Sequence, residues 1–509
     1  MSWGSPLIAA LATPPYSWAW IIRVYGVLDS PGLTYAATTM PFGDAILGKS
    51  VVVNGPRLQP GSWTSTLGTI TVELDGDLST IKSKVTRGTF VKIQVGRPEW
   101  AESDYEIVGY GQVQSLTGKT PTKAVLTIRD FLSALRSRPT TSVGYLPLGY
   151  RLGSGSTAVA TALTAAYTPG DSTVHVASTS GFSVGANGSA FLITPTTGDP
   201  FILIYNGTGA GTLTGCSASG YHNTTEVAAA SGDKVQPLLW VNGHPLYSIR
   251  TVLLSVAGAS THGYDVLPEG DGLSLPYALV DHTDTNAHYT ASEPGMSWQL
   301  VSDVPIDDPI GWINGWMSAG GFYLTIRQGL LTARSAQSPN TSSFSNVTTI
   351  TDDDIAVGGA SWEAWDSDSP VEAVTVVAES NDSVTSTSGA EANATLPAIN
   401  EVRYDLKEYV FGSAGTQTTA RDSIVDRVWY YHQRIPEKYT FVCVGLRLAV
   451  LAPGDFVLVT TRQIAGRLAS TLSGLSGIRA LVTQVSTDWG RGTVTLVCLI
   501  YPSTGDQFP

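Results

Sequence analysis

The chain has 509 residues, with 29 Lys and Arg against 42 Asp and Glu and a net charge of −13. At roughly 100–200 residues per domain this length predicts three or four units, and 42% hydrophobic residues supply their cores. Charged residues are only 14%, against roughly 25% in ordinary soluble domains, so Ser, Thr, Asn and Gly must supply the polar surface. An acidic balance without Lys/Arg blocks excludes a protein built to grip phosphates. Fifty-three Gly and 28 Pro suit turn-rich β-structure rather than long helices. Cys216, Cys443 and Cys498 lie far apart, fit neither a disulfide framework nor a zinc cluster, and read as small buried hydrophobes. The apolar run Leu7 to Ala12 has no basic flank, and no stretch reaches the ~18 apolar residues of a membrane span, so neither export nor spanning is predicted.

From about Trp20 to Leu135, short apolar alternations are punctuated by Gly and Pro. They predict strands at Ile70 to Leu74, Phe90 to Val95, Tyr105 to Val113 and Ala124 to Ile128, with Gly109 and Gly111 suited to a bulge. Asp130 to Leu135 reads as a closing helical turn. A Gly/Ser/Thr/Ala-rich stretch near 151 to 170 marks a boundary, followed by strands at Ser172 to Val176, Phe191 to Ile193 and Phe201 to Tyr205. Leu246, Ile249, Val252, Leu253 and Val256 have helical spacing, as do Ile310, Ile313 and Met317. Phe322 to Ile326 and Leu330 to Ala333, joined by Gln328-Gly329, read as a hairpin. Strands are expected at Val371 to Val377, Glu401 to Tyr404, Tyr439 to Val444, Phe456 to Thr460, Leu481 to Val485 and Thr493 to Leu499, with an amphipathic helix from Thr418 to Gln433.

An internal repeat organises these pieces. Gly88-Thr89-Phe90-Val91 and Gly454-Asp455-Phe456-Val457 share a Gly-x-Phe-Val start. Each is followed by a Gln-Val strand, Gln112-Val113 and Gln484-Val485, and then by a terminal strand. The predicted fold is mainly β (α+β overall). Residues 1–150 form a first β-barrel, 151–240 an inserted small β-domain, 241–350 a mixed α/β domain, and 351–509 a second, similar barrel with a helical insertion at about 405–438.

Four passages resemble the hub proteins of bacteriophage tail tips and baseplates, a family with relatives in gene transfer agents and contractile injection systems. They are Gly88 to Ile93 with Tyr105 to Val113 and Leu126 to Asp130; Thr179 to Phe182 with Ile204 to Gly207 and Leu213 to Cys216; Ile310 to Met317 leading to Gly320 to Leu324 and Gln328 to Thr332; and Leu451 to Leu458. The resemblance implies a structural virion protein, made in the host cytoplasm and resident at the tail tip or baseplate. It implies a homotrimer whose two hub barrels per chain form a ring of six, adapting a six-fold tail tube to three-fold components. Implied partners are distal tail and tail-tube proteins, the tape measure protein, and tail tip, spike or fibre proteins. DNA would pass through the enclosed channel without specific nucleic-acid binding; the acidic balance suits ordinary surface acidity for solubility first, and channel carboxylates that keep phosphates from sticking second. No cofactor is implied. The helix Thr418 to Gln433 and the inserted module, lying outside the repeat, are expected to serve as peripheral docking surfaces.

Catalytic readings are weak. Asp281-His282-Thr283-Asp284 with His288 offers metal-type ligands but lacks helical HExxH spacing, and its polar surroundings predict a solvated loop. Cys443 sits between Val442 and Val444 without a nucleophile's lead-in, and there is no Gly-x-Ser-x-Gly elbow. Of the carboxylates Glu73, Asp75 and Asp77, the first two share one strand face, and Asp352 to Asp354 suit a turn better than a glycosidase pair. Gly207 to Gly215 lacks the Lys-Ser/Thr of a phosphate loop and reads as a hairpin. Trp312 and Trp316 share a helix face, and Trp18 and Trp20 a strand face, suiting core or interface packing. No catalytic, cofactor or metal residue is assigned and the chain is read as a non-enzyme. The alternative is a carbohydrate-binding or cell-wall-degrading tail-associated β-protein.

Overall fold

The computed structural model describes residues 3–12, 18–29, 34–38, 46–75, 78, 82, 85–130, 132, 160–180, 182, 184, 189–218, 225–253, 279–291, 298–302, 309–337, 347–364, 371–380, 383–385, 400–411, 424, 425, 428, 429, 431, 436–464 and 474–501. The architecture is mainly β. After helix α1 (Ser5–Leu11), the first unit holds β1 (Ala19–Asp29), β2 (Ile46–Asn54), β3 (Thr69–Asp75), β4 (Phe90–Gly96), β5 (Glu106–Gly118) and β6 (Lys123–Asp130). The inserted sheet is built on β7 (Ser189–Thr194), β8 (Phe201–Tyr205) and β9 (Lys234–Gly243). The mixed region holds α2 (Pro245–Leu253), α3 (His282–Ala291), β10 (Trp298–Ser302), α4 (Pro309–Ala319) and the hairpin β11 (Phe322–Arg327) and β12 (Leu330–Ser335). The last region runs β13 (Thr348–Ile350), β14 (Ile355–Ala364), β15 (Val371–Ser380), β16 (Asn400–Phe411), β17 (Glu437–Val444), β18 (Phe456–Thr461), β19 (Leu475–Asp488) and β20 (Thr493–Ile500).

The duplication is visible in the pairing. Within the first unit six strands lie in the order β1-β4-β5-β6-β3-β2, with a short seventh, Thr34–Thr38, paired outside β1, and within the second they lie in the order β13-β18-β19-β20-β17-β14. Leaving out Thr34–Thr38, which has no counterpart among the described strands of the second unit, both units read first, fourth, fifth, sixth, third, second when numbered along the chain. The irregularities repeat as well. Between β5 and β6 one residue, Gln114, is extra after the pair Val113 with Ile128, and between β19 and β20 Thr483 is extra after Val482 with Cys498. Between β2 and β3 the pairing jumps from Ile46 with Leu74 to Val51 with Val72, and between β14 and β17 from Ile355 with Cys443 to Ala360 with Phe441. Such bulges are positional features of a fold, so matched bulges carry more weight than matched strand counts.

The Gly-x-Phe-Val starts superpose bond for bond. Gly88 donates to the Val113 carbonyl at 2.9 Å and Val113 donates back to Thr89 at 2.8 Å, while Gly454 and Val482 make the same pair of bonds, the latter to Asp455, both at 2.8 Å. The two glycines have φ of 90° and 96°. This register corrects one detail of the repeat: Val113 is equivalent to Val482, so Gln484 answers to Ser115 and not to Gln112. The units also differ in their first strands. β1 runs antiparallel to β4, whereas β13 runs parallel to β18.

Among the described pairings neither unit closes into a barrel, since none joins β1 to β2 or β13 to β14. Instead β2 pairs antiparallel with the end of β19, fusing both units into one 13-stranded sheet. One apolar core runs through both, from Trp20, Val91 and Ile128 to Phe441, Val482 and Leu496. The period-two pattern explains it: along β3, Ile70, Val72 and Leu74 point inward, and along β20, Val494, Leu496 and Cys498 do. The inserted module has its own core around Phe191, Phe201 and Tyr205. Its expected end near Trp240 falls in mid-strand, because β9 pairs with β7 as far as Leu238 and with β10 from Leu239 to Gly243.

Other expectations meet the structure piecewise. The extra residue at the β4–β5 shift is Val108, beside Gly109, and a Cβ on Gly111 would overlap the Arg129 carbonyl. The expected turn from Asp130 to Leu135 lies largely outside the described residues. So does much of the helix Thr418 to Gln433; its described members Ile424, Val425, Val428, Trp429 and Tyr431 are buried, with Tyr431 edge-on to Trp63 at 4.8 Å. These residues face the interior and are not a docking surface. The insertion expected at 405–438 begins as strand, since β16 reaches Phe411.

The two repeat glycines give a paired prediction. At Gly88 a Cβ meets nothing within 4 Å, whereas at Gly454 it would overlap the Tyr323 hydroxyl. Gly88→Ala should cost about 1–2 kcal/mol, the left-handed backbone penalty alone. Gly454→Ala should cost more than about 3 kcal/mol. Denaturant midpoints of the two variants check this, and equal losses would contradict it.

Candidate functional site at the joint of the repeated units

The residues with the most elaborate environment lie where the two units and the mixed region meet. β2 brings Val52, Val53 and Asn54 opposite Asp488, Thr487 and Ser486 of β19. Just beyond, Gly55 donates to the Val485 carbonyl at 2.9 Å, and Trp489 donates to the Val51 carbonyl at 3.0 Å. Four indoles fill the corner beside this pairing. Trp489 meets Trp3, Trp18 and Trp20 edge-on, with centroids 6.0, 5.3 and 5.7 Å apart. Edge-to-face aromatic pairs at these separations add to their area burial. Trp18 and Trp20, expected on one strand face, thus pack inside the chain.

The hairpin of the mixed region reaches the same corner. Gln328 and Gly329 both have positive φ, 52° and 77°, as a two-residue type I′ turn requires. The Gln328 side-chain oxygen accepts from the Trp3 backbone N–H at 2.8 Å, and its amide donates to the Val450 carbonyl at 3.4 Å. The Trp3 indole N–H donates to the Ile107 carbonyl at 2.8 Å. One turn therefore touches the N-terminal segment and the second unit, while Trp3 ties that segment to the first.

A buried ion cluster anchors the hairpin. Arg334 on β12 is 1% exposed; its Nε and Nη2 grip both oxygens of Asp284 at 2.6 and 2.9 Å. Its Nη1 donates to the Pro453 carbonyl at 3.0 Å and to Asp455 at 2.9 Å. Pro453-Gly454-Asp455 is the turn that opens the second Gly-x-Phe-Val strand, so this guanidinium clamps the mixed region to the repeat's signature. Arg327 adds a bond of 3.1 Å to Asp281. Burial raises the Asp284 carboxyl, but Arg334 with Arg327 overrides it and holds it well below the usual carboxylate range. Burial and then the Arg334 charge bring the His288 imidazole down to about 4, against Asp284 and Asp455.

This cluster corrects the expected solvated loop at Asp281 to His288. The segment is helix α3, with Asp281, Asp284 and His288 all buried. Asp281 caps it, its Oδ1 accepting from the Asp284 N–H at 3.1 Å. The residues of most consequence that sequence reasoning missed are Arg334 and Asp455. The Asp-x-x-Asp spacing at 281–284 resembles a cap and was the one local signal for the helix.

The other candidates resolve into structure. Among the described residues no three His, Cys, Asp or Glu side chains are placed to hold one metal ion. Glu73 pairs with Lys119, and Asp75 with Lys123 at 3.5 Å. Asp77 lies outside the described residues. Asp352 accepts from Thr461 and from the Arg462 backbone, and Asp354 pairs with Arg447 at 2.6 Å. Burial pushes the Cys216 thiol up to about 11 and the Cys443 thiol up to about 12, so neither is poised as a thiolate. Gly207 to Gly215 contains the hairpin of strands Gly207–Gly209 and Thr212–Thr214. On α4, Ile313 and Met317 are buried and Trp312 is half-buried, while the Trp316 side chain lies outside those described. No described helix is long and apolar enough to cross a membrane.

No protein-family model and no curated protein matches the chain. Among solved structures, the chain is similar to the 43 kDa tail protein of prophage MuSo2 from Shewanella oneidensis, with 9% identity over 95% of this chain and 98% of that one and a TM-score of 0.39. It is similar to prophage tail protein gp18 from Listeria monocytogenes, with 8% identity over 94% of each chain and a TM-score of 0.37. A chain of the native gene transfer agent virion aligns at 12% identity over 46% of this chain and 84% of its own, with a TM-score of 0.19. The first two are tail proteins and the third is part of a virion.

Two predictions test the clamp. Arg334→Leu leaves buried Asp284 with only the Thr332 hydroxyl at 2.7 Å and Arg327 at 3.5 Å, and should cost about 3–5 kcal/mol, whereas Arg334→Leu with Asp284→Leu should recover much of it; denaturant unfolding reads both. The second concerns pH. An unfolded histidine titrates near 6.5, so between that value and about 4 the unfolded chain holds a proton that His288 refuses. Stability should fall as pH drops through this window, by at most about 1.4 kcal/mol per pH unit from this group. His288→Gln should flatten that part of the profile, and an unchanged profile would contradict the assignment.

Proposed function

We propose that the chain is a structural virion protein, the trimeric hub of a phage tail tip or baseplate, with no chemistry of its own. The observation that carries this reading is the duplication of one six-stranded unit with its bulges. A protein with two equivalent units per chain can present six similar faces from three copies, which meets a six-fold tube while keeping three-fold symmetry beyond it. The sequence resemblance supplies the context: tail-tube or distal tail proteins on one side, tape measure protein within, and tip, spike or fibre components on the other, with DNA passing through the channel. The hub is proposed to work as a rigid adaptor. The cross-unit strand pairing, the four-indole corner and the Arg334 clamp support that rigidity.

The alternative of a glycan-binding or cell-wall-degrading protein is less well supported. Trp3, Trp20, Trp63, Trp429 and Trp489 are buried, which removes them as sugar platforms. Light scattering of the purified protein should report three chains per particle, and glycan arrays and peptidoglycan digestion should be blank. A monomer that binds or cleaves glycans would overturn the reading.

A further inference from the structure

The two repeated units are alike in strand order but not in what covers them. In the second unit, the side of β19 beyond β18 is occupied at Ser486 to Asp488 by β2. The equivalent side of β5, from Gln114 to Gly118, has no strand partner among the described residues. Beside it lies an open groove of about 520 Å³ lined by Lys82, Val85, Arg87, Leu116 and Gly118 among others. The counterpart groove at the joint is lined by Leu451, Pro453, Val485 and Thr487, and only about 60 Å³ remains of it, with Trp3, Val53 and Gly55 also in its wall. By the register of the repeat, Val85 answers to Leu451, Arg87 to Pro453, Leu116 to Val485 and Gly118 to Thr487. Among the described residues, one unit has a filled groove and the other an open one.

The strand that fills the groove also has an unused twin. β14 is the counterpart of β2, bulge for bulge, and it ends the long sheet. From Ala360 to Ala364 its outer edge has no strand partner among the described residues, and Trp362 on it is 43% exposed. Exposed edges of this kind are templates for pairing with another chain.

We propose that β14 of one copy of this chain pairs antiparallel with Gln114 to Gly118 of β5 in a second copy, repeating between chains the contact that β2 makes on β19 within one. The proposal rests on the ring-forming reading above and names the contact that closes the ring. Transferring the register of Val53 with Thr487 sets Trp362 opposite Gly118, Glu363 opposite Thr117 and Ser361 opposite Lys119. The chemistry fits. A Cβ built on Gly118 finds its nearest neighbour, the Thr120 carbonyl oxygen, at 4.0 Å, so the indole has room to lie across the strand there. An aromatic side chain opposite a strand glycine is a recognised stabilising pair. Lys119 lies diagonally from Glu363; each is already paired within its own chain, with Glu73 and Lys438, so the contact rests on the strand pairing and on Trp362. A second copy is the occupant because donor strand and acceptor groove duplicate a strand and groove that already fit each other. The contact is heterologous, so it propagates from copy to copy until it closes.

Cysteine pairs in the full-length chain test it. Gly118→Cys with Trp362→Cys, and separately Lys119→Cys with Ser361→Cys, should give ladders of covalent multimers on oxidation, at least tenfold above any single variant. The second pair retains Trp362 and Gly118 should the first destabilise the protein. Cys216, Cys443 and Cys498 are buried, which keeps the background low. A particle of three chains by light scattering with neither pair cross-linking would overturn this contact and leave the ring reading intact. A chain that stays monomeric at high concentration and does not cross-link would overturn the contact and the ring's assembly from this chain alone.

Discussion

An open β-sheet must do something with its edges, and this constraint governs the molecule. The first unit is seven strands wide and the second six, and neither closes in its described pairings, so each has a rim of backbone donors and acceptors without a strand partner among the described residues. The chain covers one of these rims itself by laying β2 along β19. That single antiparallel contact turns two units into one sheet with a common core. The Trp489 corner, the Gln328-Gly329 turn and the Arg334 clamp all gather around the joint and fix its angle. Buried charge is costly, and it is tolerated here because Arg334 is shared between Asp284 on α3 and Asp455 on the second unit.

The consequence for mechanism is rigidity. The proposed hub would need its two units held in fixed relation. Apolar packing alone is adaptable, whereas a guanidinium with four bonds to three residues has few alternative arrangements. The inserted module is attached differently. It has a separate core and joins the rest through β9, which passes from one sheet to the next without a break.

Much of the fold was legible in the sequence because strands buried on one face alternate visibly. Ile70-x-Val72-x-Leu74 and Val494-x-Leu496-x-Cys498 declare themselves by period two, and Gly88 and Gly454 by the turn each opens. The repeat was legible from those glycines, yet its trailing register was misread by three residues, since a shared Gln-Val dipeptide says nothing about loop lengths. The site was far less legible. α3 lacks an apolar stripe because the face it buries is ionic, so hydrophobic periodicity had no signal to offer at Asp281 to His288. The partners that make such burial possible, Arg334 and Asp455, lie 50 residues or more from Asp284 and only the fold unites them. Trp18 and Trp20 were recognisable as packing residues, but nothing local in sequence points to Trp489.

Duplication within the chain, an open groove on one copy of the unit and a twin strand on the other whose outer edge has no described partner combine into the proposed account of an assembly protein whose units join each other. The most direct test of that claim is electron microscopy of the purified particle, averaged without imposed symmetry. The account predicts a ring of six similar lobes around a channel, three-fold when the lobes are compared in detail. Particles whose lobes number other than two per chain, or chains joined with no ring at all, would contradict it.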